Sequence, residues 1–146
     1  MIETSGAVLR PAVATDADRI AALFTDEGYP VGPSAIVARL ERFAGDDAAV
    51  VVADLDGEVI GFIACHAVPR FEHDDALVRI LALVVDAGAR ERGVGRQLIA
   101  EAERFAEGHG AAFVEVTAGH HRPDAFHLYE SLGYDASVTA YLRKRT

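Results

Sequence analysis

Between Ile80 and Phe105 the spacing of apolar positions changes from that of a strand to that of a helix. Leu81, Leu83 and Val85 alternate inside an almost wholly apolar run, as in a strand covered on both faces. From Val94 the apolar residues fall at Val94, Leu98, Ile99, Ala102, Phe105 and Ala106, one face of a helix. The link between them is Arg90-Glu91-Arg92-Gly93-Val94-Gly95-Arg96. Glycines let a backbone turn sharply and approach a ligand closely, and a helix start presents N–H groups with no acceptor inside the helix. With arginines around it, such a turn suits a phosphate.

The same patterns divide the rest of the chain. Ala7–Pro11 predicts a short strand stopped by its proline. Thr15 opens a helix with Asp18 completing a capping box, and Ile20, Leu23 and Phe24 face inward. After the break at Gly28-Tyr29-Pro30, a second helix starts near Pro33 with Ile36, Val37, Leu40, Phe43 and Ala44 on its inner face. Ala48–Ala53 and Glu58–Ala67 read as strands joined by a hairpin turn at Asp54-Leu55-Asp56-Gly57. A polar loop, Val68–Asp75, precedes the strand Ala76–Val85. The helix that follows ends at Gly108 or Gly110, and Ala112–Thr117 is another buried strand, parallel to the first through a right-handed crossover. Pro123 suits the start of a helix over Asp124–Leu132 closed by Gly133, and Tyr134–Lys144 is strand-like. The order β-α-α-β-β-β-α-β-α-β(-β) predicts an α/β (α+β) fold, one mixed sheet with helices on both faces.

Composition narrows this picture. A chain of 146 residues, 51% of them hydrophobic, predicts a single domain over 1–146 with a proper core. Acidic residues outnumber lysine and arginine 23 to 14. That balance argues against nucleic acid or an anionic membrane as partner, and fits either a cationic substrate or plain solubility. Cys65 stands alone in an apolar run and reads as a small buried hydrophobe. The N-terminal residues lack the basic and apolar segments of a signal peptide, and no apolar run is long enough to span a bilayer, so the expected location is the cytoplasm.

The glycine turn is neither of two common nucleotide loops. Gly88 and Gly93 have the spacing of a Walker A motif, but Val94 and Gly95 occupy the positions of its lysine and hydroxyl residue. A dinucleotide fingerprint needs a third glycine where Leu98 stands. Arg-x-x-Gly-x-Gly between a buried strand and a helix instead resembles the acyl-CoA site of the GNAT superfamily of N-acetyltransferases. A second stretch, Ala125-Phe126-His127-Leu128-Tyr129-Glu130-Ser131-Leu132-Gly133-Tyr134, resembles that superfamily's other signature. The resemblance covers essentially the whole chain and looks nearest to members acting on small amines, such as aminoglycosides or aminoalkylphosphonates.

It implies the GNAT acyl-CoA N-acyltransferase fold, acetyl-CoA as acetyl donor, and no metal. Arg90, Glu91, Arg92, Gly93, Val94, Gly95 and Arg96 would surround the pyrophosphate, largely through main-chain N–H groups. The main chain of Leu83, Val84 and Val85 would take the pantetheine arm, with an N–H near Val85 polarising the thioester carbonyl. Tyr129 would be the general acid that protonates the departing thiolate. Many members carry a carboxylate on the fourth strand as general base, but the corresponding residues here are Leu81 and Ala82. The base is therefore open among Glu115, His120, His121, His73, Asp74, Asp75 and water, with Glu115 the residue chosen. The expected acceptor is the primary amine of a small cationic molecule, drawn by Asp26, Glu27, Glu72, Asp74 and Asp75. The alternatives are an acetyltransferase of protein N-termini or lysines, or a CoA-binding sensor or partner module without turnover. Ser137–Lys144 could pair strands across a homodimer.

Overall fold

The computed structural model describes residues 5–90, 92–117, 123–136 and 142–146. Strand β1 (Val8–Pro11) leads through a 3-10 turn at Ala14–Asp16 to α1 (Ala17–Asp26) and α2 (Pro33–Arg42). Then come β2 (Ala48–Leu55), β3 (Glu58–Pro69), β4 (Ala76–Val85), α3 (Val94–Gly108), β5 (Ala111–Val116) and α4 (Pro123–Ser131). The strands form one sheet in sequence order, antiparallel except for the parallel pair β4 and β5 around α3.

Period-two alternation sends neighbouring residues to opposite faces of this sheet. Ala53, Ile63, Val78 and Ile80 pack against Leu98, Ile99 and Ala102 of α3 on one side. Val52, Phe62 and Val84 pack against Leu23 of α1 and Ile36 of α2 on the other. The β2–β3 hairpin closes through Asp56 and Gly57, both at positive φ (52° and 91°), the type I′ geometry that matches strand twist. Asp54 steadies the turn by accepting from the Gly57 N–H at 2.8 Å.

The entry to α1 differs from the capping box read at Thr15 and Asp18. The residue that matters is Asp16, only 6% exposed, whose Oδ2 accepts from the Val13 N–H at 2.8 Å. Arg10 on β1 grips the same carboxylate with both terminal nitrogens at 2.9 Å and reaches Asp54 through Nε. The local bond from Val13 and the Arg10 guanidinium on the preceding strand together secure Asp16, in a box that starts two residues before Thr15. Of the strand-like C-terminal stretch, Tyr134–Ala136 and residues 142–146 form no regular element, and 137–141 lie outside the described residues.

Cys65 is 2% exposed in this core, and burial pushes its thiol up to about 11. A thiol reagent at pH 8 should therefore find no fast-reacting group in the native protein and one per chain in denaturant; a fast native titre would contradict the packing around β3.

Candidate active site

Two departures from regularity in β4 create the site. Opposite β3, Ala64 faces Ala82 but Cys65 faces Ile80, so Leu81 is an extra, bulged residue. Leu81 is left 52% exposed, although it lies in a central strand. Along the other edge, the β4–β5 register ends at Ile80↔Val116, where β5 itself ends, while β4 continues to Val85. The end of β4 therefore runs along a crevice between α3 and α4.

That crevice has a volume of about 580 Å³. Leu83 and Val85 line its floor, Arg90, Gly93, Val94, Gly95 and Arg96 its head, and Asp124, Ala125, His127 and Leu128 of α4 its far wall. Val84 does not line the crevice; its side chain is buried in the α1–α2 core. Arg92 is exposed and does not line the crevice, and Glu91 lies outside the described residues.

The turn into α3 has the form a phosphate needs. Gly93 is the N-cap residue at φ 83° and ψ 7°, left-handed geometry that costs a side-chain-bearing residue about 1–2 kcal/mol. The first intrahelical bond here runs from the Gln97 N–H to the Gly93 carbonyl, so the preceding N–H groups point out of the helix end. Gly95 is required by packing as well: a Cβ there would lie 2.9 Å from Leu128 Cδ2 on α4. One glycine shapes the turn, and the other lets α4 close over it.

The loop before this turn is pinned to α1. Asp86 accepts from the Gly88 N–H at 2.8 Å and from the Arg19 guanidinium, while Arg19 Nε also donates to the Val59 carbonyl at 2.8 Å. The Gly88 N–H first, and Arg19 after it, hold the Asp86 carboxyl below its ordinary 3.8. A depressed carboxylate stabilises the fold above its unfolded value and loses that contribution as pH falls through the folded one. The loop is thus held at neutral pH and released in acid. Asp86→Ala should weaken binding of a crevice ligand by roughly tenfold, the scale of a lost cap plus a charged contact. Isothermal titration checks this, and unchanged affinity would separate the loop from the site.

Arg90 donates to the Val85 carbonyl at 3.4 Å and pairs with Glu27 at the end of α1. Arg96 reaches Ser131 of α4 at 3.3 Å. The crevice thus has cationic groups at its head in a chain whose overall charge is −9. Glu27, Asp124 and His127 are lining residues that the motif comparison did not single out. For the α4 pair the signal was available, since Asp124 and His127 share a helix face with Leu128.

Tyr129 is placed differently from its motif neighbours. It is 6% exposed, belongs to the α3-side core, and stacks edge-on against Tyr134 at 5.3 Å between ring centres. It does not line the crevice, although Ala125 and Leu128 on the same helix do. Burial, and then the charge of Glu103, push the Tyr134 hydroxyl upward; it donates to Glu103 at 3.1 Å.

Glu115 is not brought to the crevice. It stands beside Arg79 across the β4–β5 pairing and accepts from Arg79 Nε at 2.7 Å and from Nη2. Asp75 is held by Arg70, and that hydrogen bond, first among the causes, lowers its proton affinity against the opposing effect of desolvation. Neither His73 nor Asp74 lines the crevice; His120 and His121 lie outside the described residues. Among the described residues no group of three or more His, Cys, Asp or Glu could hold a metal, and no helix is long and apolar enough to cross a membrane.

A bulged central strand, a crevice where parallel neighbours part, and a glycine-shaped helix start at its head are together suited in shape and charge to a long phosphorylated ligand. Residues 17–134 match the acetyltransferase (GNAT) family, and the chain belongs to it. Acetyltransferases of this family take acetyl-CoA as donor. The chain is 35% identical over 82 residues to an aminoalkylphosphonate N-acetyltransferase of Salmonella typhimurium, a match covering 56% of this chain and 53% of that protein, so it spans about half of that relative. The fold is similar to a crystal structure described as a transcriptional regulator from Bacillus halodurans, with a TM-score of 0.86, 21% identity, and 95% and 99% of the two chains covered. It is also similar to an aminoglycoside N-acetyltransferase solved with CoA, with a TM-score of 0.80, 22% identity, and 96% and 95% covered.

Proposed function

We propose that this protein is a cytoplasmic N-acetyltransferase that moves the acetyl group of acetyl-CoA directly to the primary amine of a small acceptor. The observation that carries it is the crevice head: a left-handed Gly93 capping α3, with Arg90 and Arg96 beside it, at the open end of β4. In this reading Arg90 and the main chain of Arg92–Arg96 hold the pyrophosphate. The Leu83–Val85 main chain aligns pantetheine, and an N–H near Val85 polarises the carbonyl. The amine lone pair attacks the thioester carbon, an N–C bond forms, the C–S bond breaks, and the thiolate takes a proton from Tyr129. Tyr129 follows the crevice-lining Leu128 on α4, and this role requires its hydroxyl to reach the crevice from the core.

Among the described residues and solvent, Glu115 and water are candidate acceptors of the remaining proton. Glu115 would have to leave Arg79 to take it, whereas water reaches the exposed bulge at Leu81 directly. Glu115→Gln should therefore lower kcat less than about threefold; a loss on the scale of 10²–10⁴ would make Glu115 the base.

A cationic acceptor has less support than charge counting suggested. Of the carboxylates invoked, Glu27 is paired with Arg90 and Asp75 with Arg70, leaving Asp26, Glu72 and Asp74. The test is CoA release, followed with a thiol reagent, over a panel of amines. Failure to acetylate any amine despite binding acetyl-CoA would favour the second reading, a CoA-binding sensor or partner module. That reading draws on Leu81 and Ala82 at the usual base positions and on the regulator with a similar fold. The proposal includes a homodimer, to be checked by sedimentation equilibrium.

A further inference from the structure

A second cavity, about 160 Å³, lies on the opposite face of the sheet from α3, beneath the end of α2. Phe24, Leu40 and Phe43 roof it, and Phe62, Leu81 and Ala82 form its floor. Its volume is close to that of an engineered apolar cavity of about 150 Å³ that accepts a benzene ring. The cavity and the crevice lie on the two sides of β4: Leu81 and Ala82 line one, and Leu83 lines the other. One residue, Ala82, separates Leu81 from Leu83, about 7 Å at the rise of an extended chain. A ligand seated beneath α2 would cover the half-exposed side chain of Leu81, and its amine would have to reach past this bulge toward the crevice side of β4.

The rim of this cavity carries Arg39 and Arg42, one helical turn apart in the last turn of α2. The Arg39 guanidinium sits 6.0 Å from the centre of the Phe24 ring, which keeps it over the cavity. Arg10, Arg19, Arg70, Arg79, Arg90 and Arg104 each face a carboxylate within ion-pair distance. Among the described residues Arg39 and Arg42 face none, although the chain holds 23 acidic side chains against 14 lysines and arginines. No Asp or Glu lines this cavity. Its chemistry is an apolar slot with a cationic rim, complementary to an anion on an apolar body.

We infer that the acceptor amine carries an acidic group and an apolar body of about one ring, with the body under α2 and the acid on Arg39 and Arg42. This rests on the acetyltransferase reading and specifies its acceptor as an amphiphilic amino acid or aminophosphonic acid. A polycationic sugar would meet the two arginines with like charge and find no carboxylate in the slot.

The test compares phenylalanine, its phosphonic acid analogue, 2-phenylethylamine, alanine and an aminoglycoside as acceptors for the full chain. The expected kcat/KM for phenylalanine or its phosphonate is at least tenfold above that for 2-phenylethylamine, alanine or the aminoglycoside. The ratio of phosphonate to carboxylate identifies which acid the rim takes. An Arg39→Gln/Arg42→Gln variant should erase the advantage over 2-phenylethylamine and leave 2-phenylethylamine itself unchanged. Equal use of 2-phenylethylamine by the native protein, preference for the aminoglycoside, or an advantage that survives the double substitution would overturn the inference. Saturation-transfer NMR of the same probes on CoA-loaded protein reads the slot without turnover, and absence of phenylalanine and phosphonate signals there would also overturn it. Thermal stabilisation by acetyl-CoA alone tests the acetyltransferase reading separately.

Discussion

Gly93→Asp is expected to lower affinity for acetyl-CoA at least a hundredfold while the domain remains folded. Two effects act in the same direction at this position. The residue caps α3 at φ 83°, so a side chain must accept left-handed geometry, which aspartate tolerates better than most. The larger effect is electrostatic, because the new carboxylate would occupy the mouth of a helix end whose N–H groups and flanking arginines are arranged for an anion. A hundredfold loss corresponds to about 2.7 kcal/mol. The conformational cost, about 1–2 kcal/mol, should lower Tm by only a few degrees in a chain of this size. Titration calorimetry and a melting curve separate the two. A variant that binds acetyl-CoA normally would remove the turn from the donor site.

Tyr129→Phe is expected to lower kcat by about a hundredfold, the low end for loss of a general acid, with KM for acetyl-CoA almost unchanged. The contacts of Tyr129 sharpen this expectation. Its ring is 6% exposed, and it packs edge-on against Tyr134. Phenylalanine keeps that packing and removes only the hydroxyl. A role confined to the core would lower stability by about 1 kcal/mol and leave turnover alone. The combination of Tm and kcat therefore distinguishes an acid from a packing residue. A native rate with lowered stability would take Tyr129 out of the mechanism.

Legibility in the sequence followed the range of the interaction. The β4–α3 junction could be read because a change of apolar period, a glycine pair and arginines lie within one short stretch, and each has a local physical meaning. The hairpin at Asp56-Gly57 was visible for the same reason. The entry to α1 was not, because Asp16 is secured in part by Arg10 on a neighbouring strand. The pairing of Glu115 with Arg79 had the same character: a carboxylate in an apolar strand suggested a proton acceptor, and the partner that explains it lies on the adjacent strand. Glu27 likewise belongs to the crevice because α1 ends beside Arg90, a juxtaposition that spacing does not encode.

The cavity beneath α2 shows the same limit for substrate choice. The charge balance of the chain fits either a cationic acceptor or plain solubility, and charges act where they are placed and unpaired. Arg39 and Arg42 lie at an apolar slot, while Glu27 and Asp75 are already paired with arginines. Local complementarity outweighs net charge at contact distance, since fields from exposed distant groups are screened within about 10 Å.

The measurement that bears most directly on the function is mass analysis of a mixture of amines incubated with acetyl-CoA and the protein, run beside Gly93→Asp. N-acetylated product with free CoA in equal amount is expected from the native chain, and product reduced to background from the variant. Acetyl-CoA binding without any acetylated amine, or equal product from both proteins, would contradict the proposed function.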